Sequence, residues 1–210
     1  MATYESLIKI TGAVGDLVFY NLNGKNVVRK KSGFNKKAFN KNPSYEKVRQ
    51  NSSEFGHCSK TGKMIRGCLE SYIKESGDLL LYQKFARLMT EIKDFDTVSS
   101  RGQRTVENGL KTDEGKKLLK EFCFGEKKNL ASAVQIKEQN LYTSGNNKAD
   151  EAIIVTMKLD SQNYTAEYIE ETVSLSEKEA SFKEQFNKED FVLYFIALKK
   201  KNEIIHMGFV

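Results

Sequence analysis

LVFYNLNGKNVVR, residues 17–29, decides how the first part of the chain is read. Asn23-Gly24 separates two short runs of β-branched and aromatic residues, and both turn residues tolerate the positive φ of a type I′ turn. The stretch predicts a β-hairpin. A two-stranded ribbon is marginal alone, so something must pair or pack with it. Upstream, Leu7-Ile8-Lys9-Ile10 reads as a short apolar β stretch, punctuated by Gly12 and Gly15.

Downstream, residues 30–42 form a polar basic segment whose only large apolar residues are Phe34 and Phe39. It ends at Pro43, the single proline, and Ser44 is placed to cap the helix that follows. Val48, Phe55, Cys58, Ile65, Leu69, Tyr72 and Ile73 recur at near-helical spacing through about Lys74. Gly56, Gly62 and Gly67 within that span hint at a break or at close helix packing. A clearer helix runs from Leu79 to Phe95, with Leu81, Phe85, Leu88, Met89 and Ile92 on one stripe. Val106, Leu110, Leu118, Leu119 and Phe122 suggest one broken or two short helices ending at Gly125.

After Gly125 the hydrophobic period changes. Residues 132–136, 152–159, 168–175, 191–198 and 203–210 are strand-like. Polar turns at 144–147, 160–163 and 200–202 separate them, and the acidic stretch 176–190 reads as a loop or short helix. The expected class is α+β, with an N-terminal β-hairpin, a central helical segment and a C-terminal antiparallel β-sheet or sandwich. A boundary near Gly125 is expected between subdomains 1–125 and 126–210.

The composition fits a folded chain. At 210 residues it is one large domain or two small ones, and 39% hydrophobic with 30% charged residues excludes disorder. Thirteen Phe and nine Tyr can build a core. No apolar run approaches the ~18 residues of a membrane span, and the first residues lack the pattern of a secretory signal, so no membrane association is expected. Three cysteines imply no disulfide framework, and a reducing, cytoplasmic setting is expected.

Charge is unevenly laid out. Residues 1–66 hold 13 basic and 4 acidic residues, residues 67–130 hold 12 and 11, and residues 131–210 hold 9 and 13. The formal net charge of +6 is therefore an N-terminal excess facing an acidic C-terminal third. Such asymmetry suits a polyanion-facing end, or two ends that attract one another.

Reactive-group motifs fail on spacing. Ser59-Lys60-Thr61-Gly62-Lys63 evokes a phosphate loop, but Gly56 and Gly62 are separated by five residues where four are needed, and Met64 follows Lys63. His57, Cys58 and Cys68 match no zinc spacing, and adjacent His57 and Cys58 are poorly placed to act on one reacting atom. A calcium loop over 160–171 would put Thr165 where Gly is required. The carboxylate pairs Asp94/Asp96, Asp113/Glu114 and Glu170/Glu171 sit in polar surroundings, without the burial that makes a general acid. No catalytic residue, metal or cofactor is expected.

The basic segment is the remaining signal. From Lys25 to Arg66 there are 12 Lys and Arg against two acids, interleaved with Phe34, Phe39 and Tyr45. Arg29, Lys30, Lys31, Lys36, Lys37 and Lys41 are the candidate polyanion-binding residues, since cations neutralise phosphates and aromatic rings stack on bases. A solvated basic surface docking onto an acidic protein surface is the competing account.

The order Gly12-x-x-Gly15-x-x-x-Phe19-Tyr20-x-x-x-Gly24-Lys25-x-x-Val28-Arg29-x-Lys31 resembles the opening of a family of uncharacterised Bacteroidota proteins. The blocks Asn42-Pro43-x-Tyr45-x-x-x-Arg49-x-Asn51-x-x-Glu54-Phe55-Gly56, Lys60-x-Gly62-Lys63-x-x-Arg66 and Ser100-Arg101-Gly102-Gln103-Arg104 are similar in the same order. The likeness spans residues 7–125, and the closing strand, turn and strand resemble that family's terminal hairpin. It implies one architecture and transfers no activity or site. The expected function is a non-enzymatic structural or interaction protein, assembling with itself or another protein as a homo-oligomer or particle component of a phage-like or mobile element. The alternative is a nucleic-acid-binding protein that uses the basic arm 25–66.

Overall fold

The computed structural model describes residues 1–6, 8–31, 36–125, 130, 134–143, 149–175, 179–187 and 189–210. Leu7, Phe34, the start of the expected strand at Ser132 and the expected turn at 144–147 lie outside the described residues. Two compact units divide between Glu46 and Lys47.

The first unit is built around the predicted hairpin. Strands β1 (Ala2–Thr3), β2 (Gly12–Val14), β3 (Leu17–Leu22) and β4 (Lys25–Lys30) form an antiparallel sheet in the order β1-β4-β3-β2. Leu22 pairs with Lys25 across Asn23 (φ 51°) and Gly24 (φ 82°), the two positive values that the type I′ turn demands. The Asn21 side chain accepts from the Gly24 N–H at 3.0 Å. Ile8, Lys9 and Ile10 are not a strand but part of the connection between β1 and β2. That connection is folded on local bonds: Tyr4 donates to the Ile10 carbonyl, and the Ser6 hydroxyl accepts from the Ile8 N–H.

The basic segment contains helix α1 (Lys36–Lys41), followed by a 3-10 turn at Pro43–Tyr45. Ser44, expected to cap the helix that follows, lies inside this turn, and Asn42 caps the turn, its side chain accepting from the Ser44 N–H at 2.9 Å.

The second unit begins with helices α2 (Glu46–Cys68), α3 (Glu70–Ser76), α4 (Leu81–Asp94), α5 (Val106–Leu110) and α6 (Asp113–Glu121). α2 runs unbroken through its glycines and is interrupted only at Leu69. Gly62 is buried, and a Cβ there would lie 3.1 Å from Met89 Cγ, so close packing is its reason. The predicted α4 stripe of Leu81, Phe85, Leu88, Met89 and Ile92 is buried as expected. Thr105 and Thr112 cap α5 and α6, accepting from the Asn108 and Gly115 N–H groups.

Seven strands follow among the described residues: β5 (Val134–Lys137), β6 (Asn140–Thr143), β7 (Glu151–Asp160), β8 (Thr165–Ser174), β9 (Glu179–Ser181), β10 (Val192–Lys200) and β11 (Glu203–Phe209). The sequence suggested five; β6 and β9 are the additions, and β9 lies in the acidic stretch expected to be loop or helix. β11-β10-β7-β8 make one antiparallel sheet and β5-β6-β9 another.

The larger sheet is covered on both faces over β7 and β10, while β8 is mostly exposed. Val155, Met157, Leu159, Phe195, Ala197, Met207 and Phe209 join Phe85, Met89 and Phe124 in one apolar cluster with the helices. The alternate residues Ala152, Ile154, Ile196 and Leu198 join Val134 and Leu141 of the smaller sheet, and Phe182 just after it, in a second. The result is three layers: helices, four-stranded sheet, three-stranded sheet. Double coverage explains why β7 reads as a nearly continuous apolar run rather than an alternating one. The boundary expected near Gly125 does not coincide with the division of the units. Leu119 and Phe124 before it share a cluster with Phe195 and Phe209 after it, and the Phe124–Phe195 ring centroids are 5.1 Å apart. Among the described residues no helix is long and apolar enough to cross a membrane.

Candidate polyanion-binding surface

All six candidate cations lie in the first unit, and all are exposed. Arg29 and Lys30 end β4, Lys31 follows it, and Lys36, Lys37 and Lys41 are on α1. Successive strand residues face opposite sides of a sheet. Arg29 therefore shares a face with its partner Val18, and Lys30 shares the other face with Leu17. On α1 the four-residue spacing places Lys37 and Lys41 on one side, one turn apart. The structure thus pairs Lys37 with Lys41 and separates Arg29 from Lys30. Phe39 and Tyr45, two of the interleaved aromatics, pack edge to face at 5.9 Å.

A second charged constellation, which the spacing arguments missed, lies in the second unit. The Glu54 carboxylate is 3% exposed on α2 and is fully engaged. It accepts from Lys93 Nζ (2.9 Å), the Gly102 N–H (2.7 Å), Arg104 Nε (2.9 Å) and Arg104 Nη2 (3.0 Å). Asp94 joins from the side, accepting from Lys93 Nζ at 2.6 Å. Arg101 donates to Asn51 at 3.0 Å. Two of the quoted sequence blocks, 42–56 and 100–104, are thereby fastened to each other. The available signal was position: Glu54, Cys58, Thr61, Ile65 and Cys68 are all buried and lie at helical spacing, so a carboxylate sits on the core stripe of α2.

Asp96, also 3% exposed, organises the loop between α4 and α5. It accepts from the N–H groups of Val98, Ser99 and Thr105 at 3.0, 2.9 and 2.8 Å. The view that no carboxylate is buried is corrected by these two, yet neither is a general acid. Burial alone would raise the Glu54 carboxyl, but bonds from Arg104, Gly102 and Lys93 outweigh it and hold the group at about 2. Burial is likewise overridden at Asp96, where backbone donors hold the carboxyl well below its usual range.

The other sequence candidates are structural. His57 accepts from the Val106 N–H through Nε2 at 3.0 Å, and its Nδ1 lies 3.1 Å from the Tyr164 hydroxyl. Burial lowers its affinity for a proton, with Glu107 opposing and Lys60 reinforcing. Burial pushes the Cys58 and Cys68 thiols up to about 11, as suits small apolar residues rather than nucleophiles. Residues 59–63 lie inside α2, where the helix uses the backbone N–H groups a phosphate loop would offer. Among the described residues no three His, Cys, Asp or Glu side chains group to hold a metal ion. A concavity of about 950 Å³ beside Asp78 and Lys84 has those two charges already paired with each other, at 2.5 Å. No family model, curated protein or solved structure matches the chain.

Proposed function

We propose that the chain is a non-enzymatic structural or interaction protein that assembles with itself or with another protein, as a component of a phage-like particle or mobile element. Its N-terminal sheet is the assembling part. The observation that carries this reading is the sheet's lack of its own core. Val27 is the only fully buried apolar side chain among the described residues 1–46. Val14 and Leu17 are register partners on one face and stay 63% and 42% exposed; Leu22 on the other face is 50% exposed. β1 and β2 are two and three residues long, so Arg29–Lys30 and Tyr20–Leu22 have no strand alongside on the outer edges among the described residues. Open edges with exposed apolar side chains recruit further protein.

Light scattering on the full chain tests it. The expected result is a mass above the monomer that grows with concentration and falls when Val14 and Leu17 are both replaced by Lys. A monomeric mass at every micromolar concentration, unchanged by salt, refutes it.

A second reading, nucleic-acid binding, rests on a separate observation: residues 17–45 contain seven Lys and Arg and no acid. It predicts a gel shift that weakens steeply with salt and disappears when Lys30, Lys31, Lys36 and Lys37 become Gln. No shift at low salt removes it.

A further inference from the structure

We propose that β8 is an acceptor edge onto which a second copy of the chain adds the end of its basic strand β4 that β1 leaves open, around Lys30, joining copies head to tail. The proposal rests on the assembly reading above and locates the contact.

β8 is an outer strand of its sheet, ten residues long, and among the described residues pairs on one side only. Its register with β7 is unbroken from Asp160↔Thr165 to Glu151↔Ser174. Leu159 N–H donates to Phe191 on the β10 side, and Leu175 N–H donates to Asp150 on the β7 side. Antiparallel alternation then directs the main-chain groups of Ala166, Tyr168, Glu170, Thr172 and Ser174 away from β7. Proteins usually blunt such an edge with Lys, Pro or a bulge. β8 has none of these, and it leaves Tyr168 49% and Ile169 39% exposed.

Charge selects the partner. β8 carries Glu167, Glu170 and Glu171 and no base. Pairing it with the β8 of another copy would gather six carboxylates along one ladder, which is unfavourable. A basic extended strand is favoured instead. Residues 25–31 supply one, with Lys25, Arg29, Lys30 and Lys31, the β-branched Val27 and Val28, and no acid. Tyr4 N–H donates to the Asn26 carbonyl, and Lys31 N–H donates to Asp16. The same alternation therefore turns the main-chain groups of Lys30 outward, beyond the end of the two-residue β1. A donor edge on one unit and an acceptor edge on the other make a heterologous contact, which closes into rings or extends as filaments.

Two variants at one position test this. Thr172→Pro removes an outward N–H that β7 does not use, a placement that edge strands tolerate. Thr172→Lys keeps the N–H and adds a like charge to the incoming strand. In sedimentation velocity on the full chain across a concentration series, each weakens association at least tenfold, with unchanged circular dichroism. Lys30→Glu weakens it similarly, and combining Lys30→Glu with Thr172→Lys restores it in part. Should the proline variant not fold, the lysine variant and the charge swap decide. Association undiminished by these changes overturns the β8 contact while leaving the assembly reading intact. A wild-type monomer throughout the series overturns both.

Discussion

Replacing Glu54 by Gln would leave the Lys93 ammonium, 6% exposed, facing Asp94 as its remaining counter-charge, and would put an N–H donor at one of the two positions that now accept from Lys93, Arg104 and Gly102. Breaking a buried pair from one side costs about 3–5 kcal/mol, so Glu54→Gln is expected to lower the unfolding free energy by that amount in urea melts. The sign of the pH dependence follows from the depressed carboxyl. Glu54 contributes its stabilisation fully above its ordinary value of 4.5 and loses it as pH falls toward about 2. The contribution is about 3 kcal/mol by linkage, and Asp96 acts in the same direction. Acid titration of the wild type should show that loss, and the Glu54→Gln variant a flatter profile. At this scale the sequence was only half legible. The cations of residues 25–41 can be counted, but whether two of them face one ligand depends on strand parity, which places Arg29 and Lys30 on opposite faces. Glu54 went unseen because hydrophobic patterning skips a carboxylate even where it occupies a core position.

Glycine separates the helices into two kinds. A Cβ on Gly109 would overlap the Ile92 carbonyl oxygen, because α5 lies directly against the end of α4, whereas a Cβ on Gly67 meets nothing within 4 Å. Gly109→Ala is therefore expected to destabilise by roughly 1–3 kcal/mol. Gly67→Ala, exposed inside α2, is expected to stabilise by up to about 1 kcal/mol. Thermal melts of the two variants should move in opposite directions. Elements with strong local signals were readable in advance. Asn23-Gly24 fixed the hairpin, and the five-residue stripe fixed α4. β6 and β9 were not, since four and three residues with one buried side chain each, Leu141 and Ala180, are too short to display a period. Leu141 and Ala180 are partners in the ladder, though they stand 39 positions apart in the sequence.

For the whole molecule, the shared core sets which pieces can stand alone. Phe85 packs on Phe209 and Phe124 on both Phe195 and Phe209, with Phe122 against Phe85, so the helices have no closed core without β7, β10 and β11. A fragment of residues 47–210 should unfold in one cooperative transition, while residues 1–125 should lack protected amides and a sigmoidal melt. Observing a cooperative melt for 1–125 would contradict the three-layer core. The change of hydrophobic period after Gly125 was correctly read as a change from helix to strand. The apolar cluster continues across it, because periodicity reports how an element is wound and not which layer it packs against.

The three thiols differ in reach. Cys58 and Cys68 are enclosed between packed helices, while Cys123 stands in solvent. A maleimide dye added to native protein should therefore attach at one place without any engineering. Copies labelled separately with donor and acceptor fluorophores and then mixed would report subunit exchange in real time, and the Cys123-to-Cys123 separation would give the repeat distance of whatever array they build.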